Sequence, residues 1–99
     1  MFDNRPIPAV HPGEVLREEY LDPLKLSAGR LAKALGVPRT RIERLANEQT
    51  AITPDTALRL ARYFGTSPQF WLNLQANHDL ADAAGKLDLD AIEPLKAAG

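Results

Sequence analysis

The sequence predicts an all-α domain of five short helices built round a helix-turn-helix, with a short C-terminal extension. Three observations predict it. Apolar residues recur at helical three- and four-residue spacing in one segment after another. Those segments open on capping residues or prolines and close on glycine or proline. The 99 residues, 44% hydrophobic and 25% charged, suit one small domain that folds on a single core.

The first helix opens at His11-Pro12-Gly13-Glu14. Proline suits the first helical position, where an N–H has no intrahelical partner, and Glu14 meets the positive end of the helix dipole. His11 is expected to cap. Val15, Leu16, Tyr20 and Leu21 form the apolar face, and Asp22-Pro23 is expected to stop the helix. Ser27 caps a second helix, Ala28 to Leu35, with Leu31 and Leu35 inward, and Gly36 ends it. Pro38 opens a third helix running to about Asn47, with Ile42, Leu45 and Ala46 apolar. Thr53-Pro54-Asp55 opens a fourth, whose expected core face is Ala57, Leu58, Ala61 and Phe64 before Gly65. Ser67-Pro68 opens a fifth, to about Asp82, with Phe70, Trp71, Leu74 and Leu80 apolar. Beyond Gly85, Leu87, Leu89 and Ala91 alternate as in a strand, while residues 91–98 suit a helical turn or two; a short helix or irregular tail is expected. The expected organisation is an N-terminal extension (1–10), a helix-turn-helix domain (11–82, motif 27–47) and a tail (83–99).

Within the motif, Ala32 is the small residue where two helix backbones approach, and Gly36 supplies the positive φ of a tight turn. Val37, Ile42 and Leu45 then lock the third helix against the second. Charge follows the same map. The net charge of −1 divides into −3 over residues 1–24, +5 over 25–47 and −3 over 48–99. A basic centre between acidic ends answers the objection that a nearly neutral chain is a poor partner for nucleic acid.

In such a motif the second helix enters the major groove of DNA and its outer face reaches base edges. Arg39, Thr40 and Arg44 are the candidate base readers, because arginine forks onto guanine and threonine offers a hydroxyl or a methyl. Arg41, Arg30, Lys33, Ser27 and the Ala28 N–H are candidate phosphate ligands. A charged helix face also serves solubility alone; three arginines in six residues with a single acid among them favour DNA, since a merely solvated face mixes signs.

Other chemistries find little support. With no cysteine there is no disulfide, thiolate nucleophile or Cys-based zinc site. The two histidines, His11 and His78, lack partners at metal-ligand spacing, and His78 is expected on the surface. Glu18 and Glu19 diverge by about 100° on a helix and cannot flank a substrate. No phosphate loop, nucleophile elbow or triad pattern is present, so an enzyme, cofactor, metal or small-molecule substrate is not expected. No apolar run approaches the roughly 20 residues that cross a bilayer, and Met1 to Pro6 lacks a signal peptide's apolar region, so a cytoplasmic protein without membrane contact is expected. Tyr63, Phe70, Trp71 and Leu74 together are more large apolar surface than a small bundle readily hides, which makes them candidate dimer contacts.

The chain also resembles the HigA-type antitoxins, the addiction-module antidotes among the Xre/Cro/C1-type, lambda-repressor-like helix-turn-helix regulators. The resemblance rests on four stretches in order: His11-Pro12-Gly13-Glu14-Val15-Leu16; Leu31 to Ile42; Ala51-Ile52-Thr53-Pro54-Asp55 to Ala61; and Phe64-Gly65-Thr66-Ser67 with Phe70-Trp71-Leu72-Asn73-Leu74-Gln75. It implies a five-helix DNA-binding domain that dimerises, represses its own operon through a palindromic operator and sequesters a HigB-like toxin, typically a ribosome-dependent mRNA endonuclease. An RNA-cleaving toxin is expected to be basic, so acidic Glu14, Glu18 and Glu19 are the candidate toxin contacts. Two other readings stay open: a regulator of the same DNA mode without a toxin, and a protein-interaction module that has lost DNA binding. One departure from the family concerns the loop after the third helix, often glycine and basic residues but here Asn47-Glu48-Gln49-Thr50. The tail after Leu80 matches no family pattern.

Overall fold

The computed structural model describes residues 9–96; the first eight residues of the expected N-terminal extension and residues 97–99 of the tail lie outside the described residues. Five helices form the described chain, without strands among those residues. Helix α1 is continuous through three segments, α-helical at Pro12–Val15, π-helical at Leu16–Leu21 and α-helical again at Asp22–Leu24. It is followed by α2 (Ala28–Leu35), α3 (Arg39–Ala46), α4 (Pro54–Phe64) and α5 (Pro68–Ala84). A single 3₁₀ turn at Leu89–Ala91 interrupts an otherwise irregular tail.

The side-chain caps expected from sequence form. His11 Nδ1 accepts from Gly13 N–H at 2.9 Å, Ser27 Oγ from Arg30 N–H at 3.1 Å, Thr53 Oγ1 from Thr56 N–H at 3.3 Å and Ser67 Oγ from Phe70 N–H at 3.1 Å. Pro38 is the extended residue preceding α3 and not its first turn. Gly36 adopts φ 71°, and its N–H and that of Val37 return to the carbonyls of Lys33 and Ala32, which closes the turn of the motif.

One core holds the helices together. Leu16, Leu31, Ile42, Leu60 and Trp71 are fully buried, with Ala32, Leu35, Leu45, Ala57 and Ile52 packed among them. Tyr20, Phe64 and Trp71 stack as an aromatic cluster joining α1, α4 and α5, with ring centroids 4.5 to 6.5 Å apart. The Trp71 indole N–H donates to Thr66 Oγ1 at 2.8 Å, so the one polar atom of the ring is satisfied. Gln75 is also buried: its Oε1 accepts from Ile52 N–H at 2.7 Å and its Nε2 donates to Asp79 at 2.9 Å, tying α5 to the chain before α4.

Several expectations are corrected. Helix α1 runs through Asp22-Pro23 to Leu24, because the wider π wind changes the register: Asp22 N–H reaches back to Arg17, and Pro23, with no N–H to place, sits where the α register returns. Leu58 is exposed and Leu60 is in the core, since α4 presents Ala57, Leu60, Ala61 and Phe64 inward. Leu80 is exposed as well, because the second half of α5 extends past the last helix it packs against. Trp71 is a core residue and not a dimer contact; the aromatic cluster and the Thr66 hydrogen bond occupy it on all sides. His78 is half-buried, edge-on to His11 at 5.0 Å between centroids, with Nδ1 3.4 Å from the Ala9 carbonyl.

Candidate nucleic-acid interface

Contacts brace the turn that leads into helix α3 and the helix's own C-terminal end. At its start, Gly36 brings the chain out of α2 and Arg59 of α4 reaches across, its Nη1 donating to the Leu35 carbonyl at 2.7 Å. At its end, Glu48 takes a left-handed φ of 62°, with Glu48 N–H returning to Leu45 and Gln49 N–H to Arg44. A left-handed residue here explains why glycine suits this loop. Glu48 is held by Arg17, whose Nη2 lies 3.2 Å from its carboxylate and whose Nη1 donates to the Ala46 carbonyl. Beneath the helix, Gly13 abuts the Leu45 backbone so closely that an added Cβ would fall 1.8 Å from its carbonyl oxygen.

The outer face of α3 divides its polar residues into two groups. Thr40, Arg41 and Arg44 line an open cleft of about 490 Å³ together with Thr50, Thr53 and Asp55, so the loop before α4 forms its second wall. Arg39 points the other way. Its Nε binds Glu43 at 2.9 Å, and its Cδ lies 3.5 Å from where a Cβ on Gly29 would stand, over the first turn of α2. Arg39 therefore lies beside Gly29 in the first turn of α2, a positive side chain near the positive end of a helix.

The cleft has its own electrostatics. Asp55 receives Arg41 Nη1 and Arg59 Nε, each at 2.8 Å, and the Arg59 hydrogen bond, seconded by Arg41, holds its carboxyl below the ordinary carboxylate range. Arg44 has no acidic partner within ion-pairing distance among the described residues, which leaves its guanidinium open to solvent in the cleft. Thr50, Asp55 and Arg59 were not legible as site residues, because only the packing of α4 against the turn brings them to α3.

The remaining candidates lie elsewhere. Arg30 and Lys33 border a lateral groove between α2 and α4 with Leu26, Ala34 and Tyr63. Phe70 and Leu74 line a separate groove with Val15, Tyr20 and Glu19, so two candidate dimer residues and one candidate toxin residue share a surface. Glu18 is exposed and Glu14 half-buried on the same helix. Among the described residues no cluster of three or more His, Asp or Glu could hold a metal, and no helix is long and apolar enough to cross a membrane.

Residues 16–71 match the family model for the helix-turn-helix domain HTH_3. Antitoxin HigA of Pseudomonas aeruginosa, solved with the higBA promoter, is 46% identical and superposes with a TM-score of 0.81 over 93% of this chain and all of that one. The chain belongs to the HigA-type antitoxins of the HTH_3 helix-turn-helix family. An addiction module antidote of the HigA family from Coxiella burnetii is 43% identical, with a TM-score of 0.80 over 90% of this chain and all of that one. Virulence-associated protein I of Dichelobacter nodosus is 56% identical over 90 residues, which span 90% of this chain and 83% of the relative. In this HigA-type chain the loop after α3 holds Glu48 against Arg17.

Proposed function

We propose that the chain is an operator-binding antitoxin and repressor of its own operon, acting in the cytoplasm as a dimer on a palindromic operator. The observation that carries this reading is the cleft in which Thr40, Arg41 and Arg44 stand on one exposed face of a helix braced at its end and at the turn that leads into it. A helix so held enters a major groove without paying to order itself. Arg44, with no intramolecular partner among the described residues, is the principal base reader, with Thr40 beside it. Arg39 exchanges Glu43 for a base or phosphate, and Arg41 exchanges Asp55 for phosphate. Two copies related by a two-fold axis would set their α3 helices about 34–36 Å apart, or a multiple of that. The promoter bound by the Pseudomonas aeruginosa relative supports operator binding, and membership among HigA-type antitoxins supports a HigB-like toxin as the second partner. Glu14, Glu18 and Glu19 on α1 are the proposed toxin-facing acids; no catalytic role is assigned to any residue.

A mobility-shift assay on the DNA upstream of the gene, with and without the neighbouring gene product, tests both halves. A shift of that DNA over unrelated sequence is expected, together with a complex between the two proteins. Absence of the first overturns operator binding. DNA binding without a protein complex reduces the reading to a regulator lacking a toxin, and a complex that persists after charge reversal of Glu14, Glu18 and Glu19 removes those acids from the toxin surface.

A further inference from the structure

Two exposed features are left without a partner, and they are complementary. The first is an arm. From Ala81 to Lys96 every residue is exposed, and the chain measures 58 × 29 × 22 Å with a radius of gyration of 17.1 Å, against about 13 Å for a compact chain of this length. The arm is apolar and acidic together: Leu87, Leu89, Ile92 and Leu95 are each more than half exposed, interleaved with Asp88, Asp90 and Glu93. Apolar side chains left this exposed are costly to keep in water.

The second feature is the lateral groove between α2 and α4. It is apolar and basic together, and in two adjoining hollows of about 430 and 370 Å³ it is lined by Leu58, Ala34 and Tyr63, with Arg62, Lys33 and Arg30 at the rim. Those three cations have no acidic partner within ion-pairing distance among the described residues, and no acidic side chain lines either hollow. Leu58 and Tyr63 are 60% and 48% exposed, so the floor is as unpartnered as the rim.

We propose that the acidic, apolar arm of one copy, residues 87–95, docks into the basic, apolar α2–α4 groove of a second copy. The arm is exposed throughout, and none of its residues lines the groove of its own chain. Its reach, about 1.5 Å per residue along the free part of α5 and up to about 3.3 Å per residue beyond, is on the order of 40 Å, enough to cross to a neighbour. The leucines and isoleucine would cover Leu58 and Tyr63 while Asp88, Asp90 and Glu93 meet Arg62, Lys33 and Arg30. The contact is reciprocal, as two-fold symmetry requires. It rests on the two-copy reading above and supplies that reading with a surface.

The test is a charge swap on the full chain, read as mass by light scattering and sedimentation at low salt without DNA. Wild type is expected to be dimeric. Asp88→Lys/Asp90→Lys on the arm and Lys33→Glu/Arg62→Glu in the groove, all exposed positions, are each expected to weaken the dimer at least tenfold with unchanged helical circular dichroism. Mixing the two variants, or combining all four substitutions in one chain, is expected to restore it, because each arm then meets a groove of opposite sign. A monomeric wild type overturns the two-copy reading. A dimeric wild type that both variants leave intact, or a loss that mixing does not rescue, overturns the arm contact and leaves the dimer standing on another surface.

Discussion

At the level of single residues, Gly13 and Arg44 show how much one position controls. In a helix, alanine ordinarily outranks glycine by about 1 kcal/mol. Here the added Cβ would meet the Leu45 carbonyl oxygen at 1.8 Å, so Gly13→Ala must push α1 off α3. The expected loss is at least about 1–3 kcal/mol in urea unfolding, while Gly85→Ala, with nothing nearer than 3.6 Å, should be neutral or slightly stabilising. Equal effects at the two sites would refute the close-approach account. For Arg44, replacement by alanine should cost about 1–3 kcal/mol of operator binding and relax preference at one base position. If binding instead weakens equally on all sequences, Arg44 contacts phosphate.

Among elements, the first turn of α1 carries a titration that is coupled to the fold. Burial lowers the His11 imidazole below its ordinary 6.5, and the adjacent His78 lowers it further. The folded state therefore binds this proton less readily than the unfolded chain does. Stability from this group is present above pH 6.5 and is lost as pH falls through the lowered value. Unfolding free energy should decline as pH falls below the ordinary histidine value of 6.5, and His11→Asn, which keeps a capping acceptor without an imidazole, should flatten that decline. A wild-type curve that stays level over this range would remove His11 from the stability balance. Sequence was a good guide to the helix ends, since Ser27, Thr53 and Ser67 cap through their own side chains onto residues three along. It was a poor guide to the end of α1, where the π register lets Pro23 sit inside the helix.

For the whole molecule, charge is arranged by segment, and binding to DNA should report it. The +5 of residues 25–47 is concentrated on α2 and α3, with acidic segments on either side. Log K for the operator should fall linearly with log salt, by about 0.9 for each phosphate neutralised. Arg41→Ala should reduce that slope by about 1 without altering base preference. A flat plot would exclude groove binding by this face.

Taken alone, the amino-acid order determined the helices, the turn at Gly36 and the basic centre, because caps, periodicity and charge act between residues a few positions apart. Tertiary structure alone decided which arginines are engaged. Arg39 with Glu43 is a local pair, but Arg41 meets Asp55 from 14 positions away and Arg59 meets Leu35 from 24. It also buried Trp71, exposed Leu58 and separated Tyr63 from Phe70 and Leu74. Helical periodicity defines a face but not what covers it, and the cover comes from helices distant in the chain.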